Sequence, residues 1–114
     1  MKYNNNKLVI EKINFLNIAR KFGTPAYCYS YAKLKENINK FKENFKSFSP
    51  LICFSVKSNT NLNIIKEIKK FGIGADVVSK GELMMALKAG INPNKIVFSG
   101  VGKTNEEINF AIKK

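Results

Sequence analysis

Long apolar runs are missing from this sequence. None approaches the ~18 consecutive residues needed to cross a bilayer, so no membrane span is available. The first residues, MKYNNNKLVIEKIN, also lack an apolar segment of signal-peptide length, which argues against secretion and for a cytoplasmic location. Cysteine is scarce. Cys28 and Cys53 lie in separate apolar, strand-like runs without metal-ligand spacing. They read as reduced packing residues, not as a disulfide framework or a metal site. Arginine is scarcer still: Arg20 is the only one, against a formal net charge of +12. Arginine is the usual bidentate partner of phosphate and guanine, and the lysines here are spread along polar helix faces. The basic balance therefore does not point to nucleic acid.

What is present suits a globular fold. The 114 residues allow one small domain with a single core, and 45% are hydrophobic against 25% charged. KLVIEKI (7–13) reads as a strand, and NFLNIARKFG (14–23) as a helix with Asn14 as N-cap and Gly23 as stop. Thr24-Pro25 favours an extended chain into AYCYS, a second expected strand. From Tyr31 to Phe48 a helix is expected, because Leu34, Ile38, Phe41, Phe45 and Phe48 recur at steps of four and three. Pro50 closes it.

Thereafter strands and helices alternate. LICFSV leads to NLNIIKEIKKFG, ADVVS to GELMMALKAG, and KIVFSG to TNEEINFAIKK. Short connections between such pairs indicate βαβ units and a parallel sheet. The fold class is α/β. In both barrels and open sheets of this class, the C-terminal strand ends carry the chemistry.

Period-two alternation in ICFSVK puts Ile52, Phe54 and Val56 on one face and Cys53, Ser55 and Lys57 on the other. The first set suits packing against helices. The second would line an interior or a crevice, ending in a lysine. Most strand-end lysines are simply solvated. An inward lysine is instead desolvated, which favours the neutral amine that attacks carbonyls, that of pyridoxal phosphate included. Asp76, in ADVVS, is either a polar residue at a strand start or a charge partner for such an amine. Polar residues also gather at the other strand ends, at Ser79 and at Ser99-Gly100.

Two patterns imitate chemistry. Ser79 with Glu82, and Thr104 with Glu107, have the spacing of capping boxes and read as helix starts. SGVGKT (99–104) follows a strand and precedes a helix, as a Walker A loop does. Where that loop needs its first glycine, the chain has Val97. It fails as a nucleotide-hydrolysis signal, although a helix start can bind an anion through free N–H groups.

Taken together, FSVKSN, GADVVSKGELMMALKAG and KIVFSGVGKT resemble the N-terminal part of the bacterial diaminopimelate decarboxylases. These belong to the pyridoxal-phosphate decarboxylases of ornithine, arginine and diaminopimelate, with an alanine-racemase-like barrel. The resemblance runs from about GTPAYCYS to the last residue. It implies the N-terminal part of a TIM-type (β/α)8 barrel, with residues 1–25 leading in and residues 26–114 forming its first β/α units. It also implies that Lys57 holds pyridoxal 5'-phosphate as a Schiff base, that Asp76 lies near that bond, and that Ser55 lies beside the cofactor. Serines 55 and 58 replace alanines often found around this lysine.

The implied reaction is decarboxylation of meso-2,6-diaminopimelate to L-lysine, with a small amino acid as substrate, a homodimer as the working form, and no nucleic acid or membrane as partner. A whole barrel needs ~250 residues, so the chain is expected to be an N-terminal fragment, inactive alone. The family's ring-stacking histidine is expected elsewhere, since this chain has none. Two other readings stand beside this one. The first is a decarboxylase of ornithine, arginine or carboxynorspermidine; the second is a non-enzymatic α/β module.

Overall fold

A computed structural model describes all 114 residues, which form two compact units, 1–44 and 45–114. In the first unit, β1 (Lys2–Asn4), β2 (Lys7–Ile10) and β3 (Ile13–Asn14) pair antiparallel in that order. Two-residue turns join them, with positive φ at Asn5 and Asn6 and again at Glu11 and Lys12. Turns of this hand match the twist of the flanking strands. The expected single strand over 7–13 is therefore a hairpin. Alternation alone does not reveal the turn, because Val9 and Ile13 keep an even spacing, whereas the hairpin pairs Ile13 with Ile10.

The turn at Glu11 has a compensating partner. Its Oε1 accepts from Ser30 Oγ at 2.6 Å and from Ala32 N at 2.7 Å, at the start of α2 (Tyr31–Phe45). Between them, α1 (Phe15–Phe22) is bounded as its caps predict. Asn14 Oδ1 accepts from Leu16 N, and Gly23, at φ 81°, donates its N–H to Ala19 O. The expected strand AYCYS is not formed. Residues 26–30 have no ladder with the strands of their unit, and a strand needs such a ladder to exist.

Helix α2 ends at Phe45 and runs into a 3₁₀ turn, Lys46–Phe48. Its apolar stripe is only partly covered. Leu34 and Ile38 are half-buried, whereas Phe41, Phe45 and Phe48 are 51%, 43% and 77% exposed. Periodicity decides which side chains share a face, but it does not supply the surface that covers them.

The second unit is a parallel sheet in the order β4 (Cys53–Ser55), β5 (Gly74–Val77), β6 (Ile96–Phe98). Helices α3 (Leu62–Lys69) and α4 (Lys80–Lys88) make the crossovers, and α5 (Asn105–Ile112) follows β6. The core lies on one face of the sheet. Ala75 and Val77 from β5, with Val56 just beyond β4, are fully buried against Ile65 of α3 and Leu83 and Ala86 of α4. Phe54, Ile96 and Phe98 pack on the same cluster. The caps read from the sequence, Ser79 for α4 and Thr104 for α5, are formed, and Asn61 caps α3.

Candidate active site

With one face of β4–β5–β6 given to the core, alternation leaves Cys53, Ser55, Gly74, Asp76 and Val97 on the other. Register aligns them. Cys53 stands opposite Gly74, Ser55 opposite Asp76, and Asp76 opposite Val97. Asp76, the only aspartate in the chain, is thus on the central strand with a neighbour on each side. Ser55 Oγ donates to its Oδ2 at 3.3 Å, and Ser99 Oγ donates to its Oδ1 at 2.5 Å. Each carboxylate oxygen has a hydroxyl from a different flanking strand. One layer away, the Cys53 thiol points at the Lys95 carbonyl (3.8 Å). Burial, and then the negative charge of Asp76, push that thiol's pKa up, so it is a poor nucleophile.

Lys57 is close to this network in sequence but is not on the strand. β4 stops at Ser55, and Val56–Ser58 form a 3₁₀ turn. Val56 turns inward and is fully buried, while Lys57 is exposed. The expected desolvation of the lysine is therefore not supplied by these residues. Period two ends with the strand: a 3₁₀ turn has three residues per turn, so alternation no longer applies. Two bonds pin this turn. Ser58 Oγ donates to Ser55 O at 2.7 Å, and Asn59 N donates to Val56 O at 3.0 Å. Both serines around Lys57 thus have structural partners, one in the turn and one on Asp76.

The structure brings Ser55 and Asp76 into direct contact. It places Lys57 on the adjoining turn, bonded to neither. Ser99 completes the network and was legible only as one of several polar residues at strand ends. The phase of KIVFS holds the missing signal, since Ser99 is two residues beyond Val97, which is in register with Asp76.

The neighbouring loops resolve into helix starts. Ser79 Oγ accepts from Glu82 N at 3.2 Å, and Glu82 Oε2 accepts from Val78 N at 2.9 Å, so this pair forms a helix start. In SGVGKT, Lys103 Nζ folds back onto the carbonyl of its own loop residue Gly100, 5.4 Å from the Phe98 ring centroid. The start of α5 is closed by a capping box that also ties it to the start of α4. Glu107 accepts from Thr104 N through Oε2 and from Lys80 N through Oε1, at 3.0 and 3.1 Å. These backbone bonds, that from Thr104 above all, hold the Glu107 carboxyl below the usual carboxylate range.

This is an α/β unit with an exposed primary amine on a pinned turn at the C-terminal end of a parallel strand, beside a doubly anchored carboxylate. The chain belongs to the pyridoxal-dependent decarboxylases, whose pyridoxal-binding domain model matches residues 31–114. It is 42% identical to diaminopimelate decarboxylase of Aquifex aeolicus over 98% of its length, and 47% identical to that of Helicobacter pylori over 88%. It spans about a quarter of the length of these curated relatives (26% and 25%). Among solved structures, diaminopimelate decarboxylase from M. jannaschii in complex with L-lysine superposes with a TM-score of 0.95. That match has 36% identity and covers 98% of this chain and 27% of the other. The Helicobacter pylori enzyme with L-lysine gives 0.84 at 45% identity, covering 88% of this chain and 25% of the other. A lysine decarboxylase from Selenomonas ruminantium, 18% identical with a TM-score of 0.80, shares the fold. The expected fold class, parallel β/α units of the TIM-type pyridoxal-binding barrel, stands.

The residues present fit the cofactor of this family. An aldehyde needs an accessible amine, and Lys57 is exposed, on a turn fixed by two hydrogen bonds. A cationic cofactor linkage needs a nearby anion held in place, and Asp76 is held by both serines.

Proposed function

We propose that this chain supplies the lysine-bearing part of a pyridoxal-phosphate-dependent decarboxylase acting on meso-2,6-diaminopimelate to give L-lysine. Lys57 holds the cofactor through a covalent bond at Nζ, and Asp76 and Ser55 lie beside it. Residues 26–114 contribute the β/α units around the cofactor, and residues 1–25 lead into them. When bound, pyridoxal phosphate supplies the electron sink that accepts the pair left by departing carbon dioxide. The chain's own residues do the positioning. The pinned turn Val56–Ser58 limits where Nζ can reach, and Asp76 offers a fixed negative charge on the open face of the sheet. The opposite face of the sheet is packed into the core against α3 and α4.

One observation carries this reading: Lys57 leaves the C-terminal end of β4 next to the Ser55–Asp76 pair, in a chain similar over nearly its whole length to diaminopimelate decarboxylases. The substrate reading is supported by those relatives, whose structures include complexes with L-lysine, the molecule that diaminopimelate becomes on losing one carboxylate. The working form is a cytoplasmic homodimer with no nucleic-acid or membrane partner. No helix is long and apolar enough to cross a membrane.

The test is reductive trapping. The full-length protein is treated with pyridoxal phosphate and borohydride, digested and mapped by mass spectrometry. Carbon dioxide release is then followed with meso-diaminopimelate, ornithine, arginine and carboxynorspermidine. The reading requires a pyridoxyl label on Lys57 and turnover of diaminopimelate above the others. A label on another lysine, or none, sinks the cofactor role. Preference for another substrate redirects the assignment within the family.

A further inference from the structure

We propose that Ser99 is a positioning residue: by holding Asp76 it sets the geometry of the chemistry at Lys57, an inference that rests on the function proposed above. A carboxylate on a Cβ–Cγ bond has a broad torsional well and does not orient itself. Here the two donors are unequal. The Ser55 bond to Oδ2 is long at 3.3 Å, whereas the Ser99 bond to Oδ1 is short at 2.5 Å. Ser55 alone would leave the carboxylate free to swing. With Ser99 on the opposite side, both oxygens are engaged, from β4 and from the end of β6, and the carboxylate plane is set across the sheet.

Ser99 can do this because its own backbone is fixed. Its N–H donates to Val77 O at 2.9 Å, extending the β5–β6 ladder one residue past Phe98. The chain then leaves the sheet at once through Gly100, at φ 95°. A Cβ there would lie 3.5 Å from that of Val78. Ser99 is therefore the last ladder residue before the loop, and its hydroxyl is placed by the sheet.

A bond that merely satisfied a half-buried carboxylate would affect stability and that carboxyl's own shift but neither kcat nor the cofactor's dichroism, so the experiment separates the two roles. Ser99→Ala and Ser99→Thr are made in the full-length protein. In protein free of pyridoxal phosphate, the carbon-13 shift of the Asp76 carboxyl is expected to move in Ser99→Ala and to return in Ser99→Thr. In the loaded protein, Ser99→Ala is expected to lower kcat about 10- to 100-fold while KM changes by less than about twofold. The visible circular dichroism of the bound cofactor should change with it, and Ser99→Thr should restore both.

An unmoved Asp76 shift overturns the proposal, as does a Ser99→Ala enzyme with normal kcat and normal dichroism. If the unmodified protein takes no label on Lys57, the proposed function falls and the positioning role with it. A labelled, active protein indifferent to Ser99 overturns the positioning role alone.

Discussion

Gly74 and the Lys95 carbonyl lie closer together than any side chain would allow: a Cβ on Gly74 would sit 2.1 Å from that oxygen and 3.1 Å from the Cys53 sulfur. The close approach is what lets β5 run beside β6 with Asp76 between the two serines. Gly74→Ala must push the strands apart, and overpacking of this kind costs about 1–3 kcal/mol, sometimes more. Urea unfolding should show that loss. A variant as stable as the parent would mean the backbones separate without cost.

Lys57 offers the opposite case. It is exposed and bonded to neither Ser55 nor Asp76, so Lys57→Ala should leave stability within about 0.5 kcal/mol of the parent. Covalent loading with pyridoxal phosphate should vanish. Lys57→Arg keeps the charge and should also fail to load, because a guanidinium does not form the bond. Retained loading in either variant, read by absorbance after borohydride treatment, would assign the cofactor to a different lysine.

Acid stability should depend on Glu36. Hydrogen bonds from Lys40 and then Lys33 hold its carboxyl down to about 2, from an ordinary 4.5. The unfolded chain therefore binds this proton first as pH falls. The stabilisation is complete above about 4.5 and is lost progressively toward 2. Glu36→Gln should flatten the acid limb of a stability–pH curve in that window, and high salt should shrink the difference because the pair is solvated. An acid limb identical in parent and variant would show that the lysines do not hold the carboxylate in solution.

The start of α4 should be sensitive to one hydroxyl. Ser79 Oγ caps Glu82 N, and Ser79→Ala should cost about 1 kcal/mol, with Ser79→Asp nearly neutral. Thermal unfolding of both variants checks this. Equal loss in both would show that the cap is not what matters at this position.

Much of this was legible in the chain because it is local. Asn14, Asn61, Ser79 and Thr104 cap helices through their own side chains, and Gly23 and Gly72 supply the positive φ needed where α1 and α3 end. Each signal involves residues within about one helical turn, so sequence alone carries it. Alternating strands and helices likewise specify an α/β arrangement.

Other features needed the third dimension. KLVIEKI conceals a turn, AYCYS has no ladder in its unit, and three phenylalanines of one helical stripe stay exposed. Lys57 leaves the strand phase because β4 ends two residues earlier. Sequence identified Lys57, Ser55 and Asp76 as residues to watch. Only the register of three strands placed Ser55 and Ser99 on the two oxygens of Asp76, and register is a non-local property. It depends on which strands pair and where each one stops, which no single segment encodes.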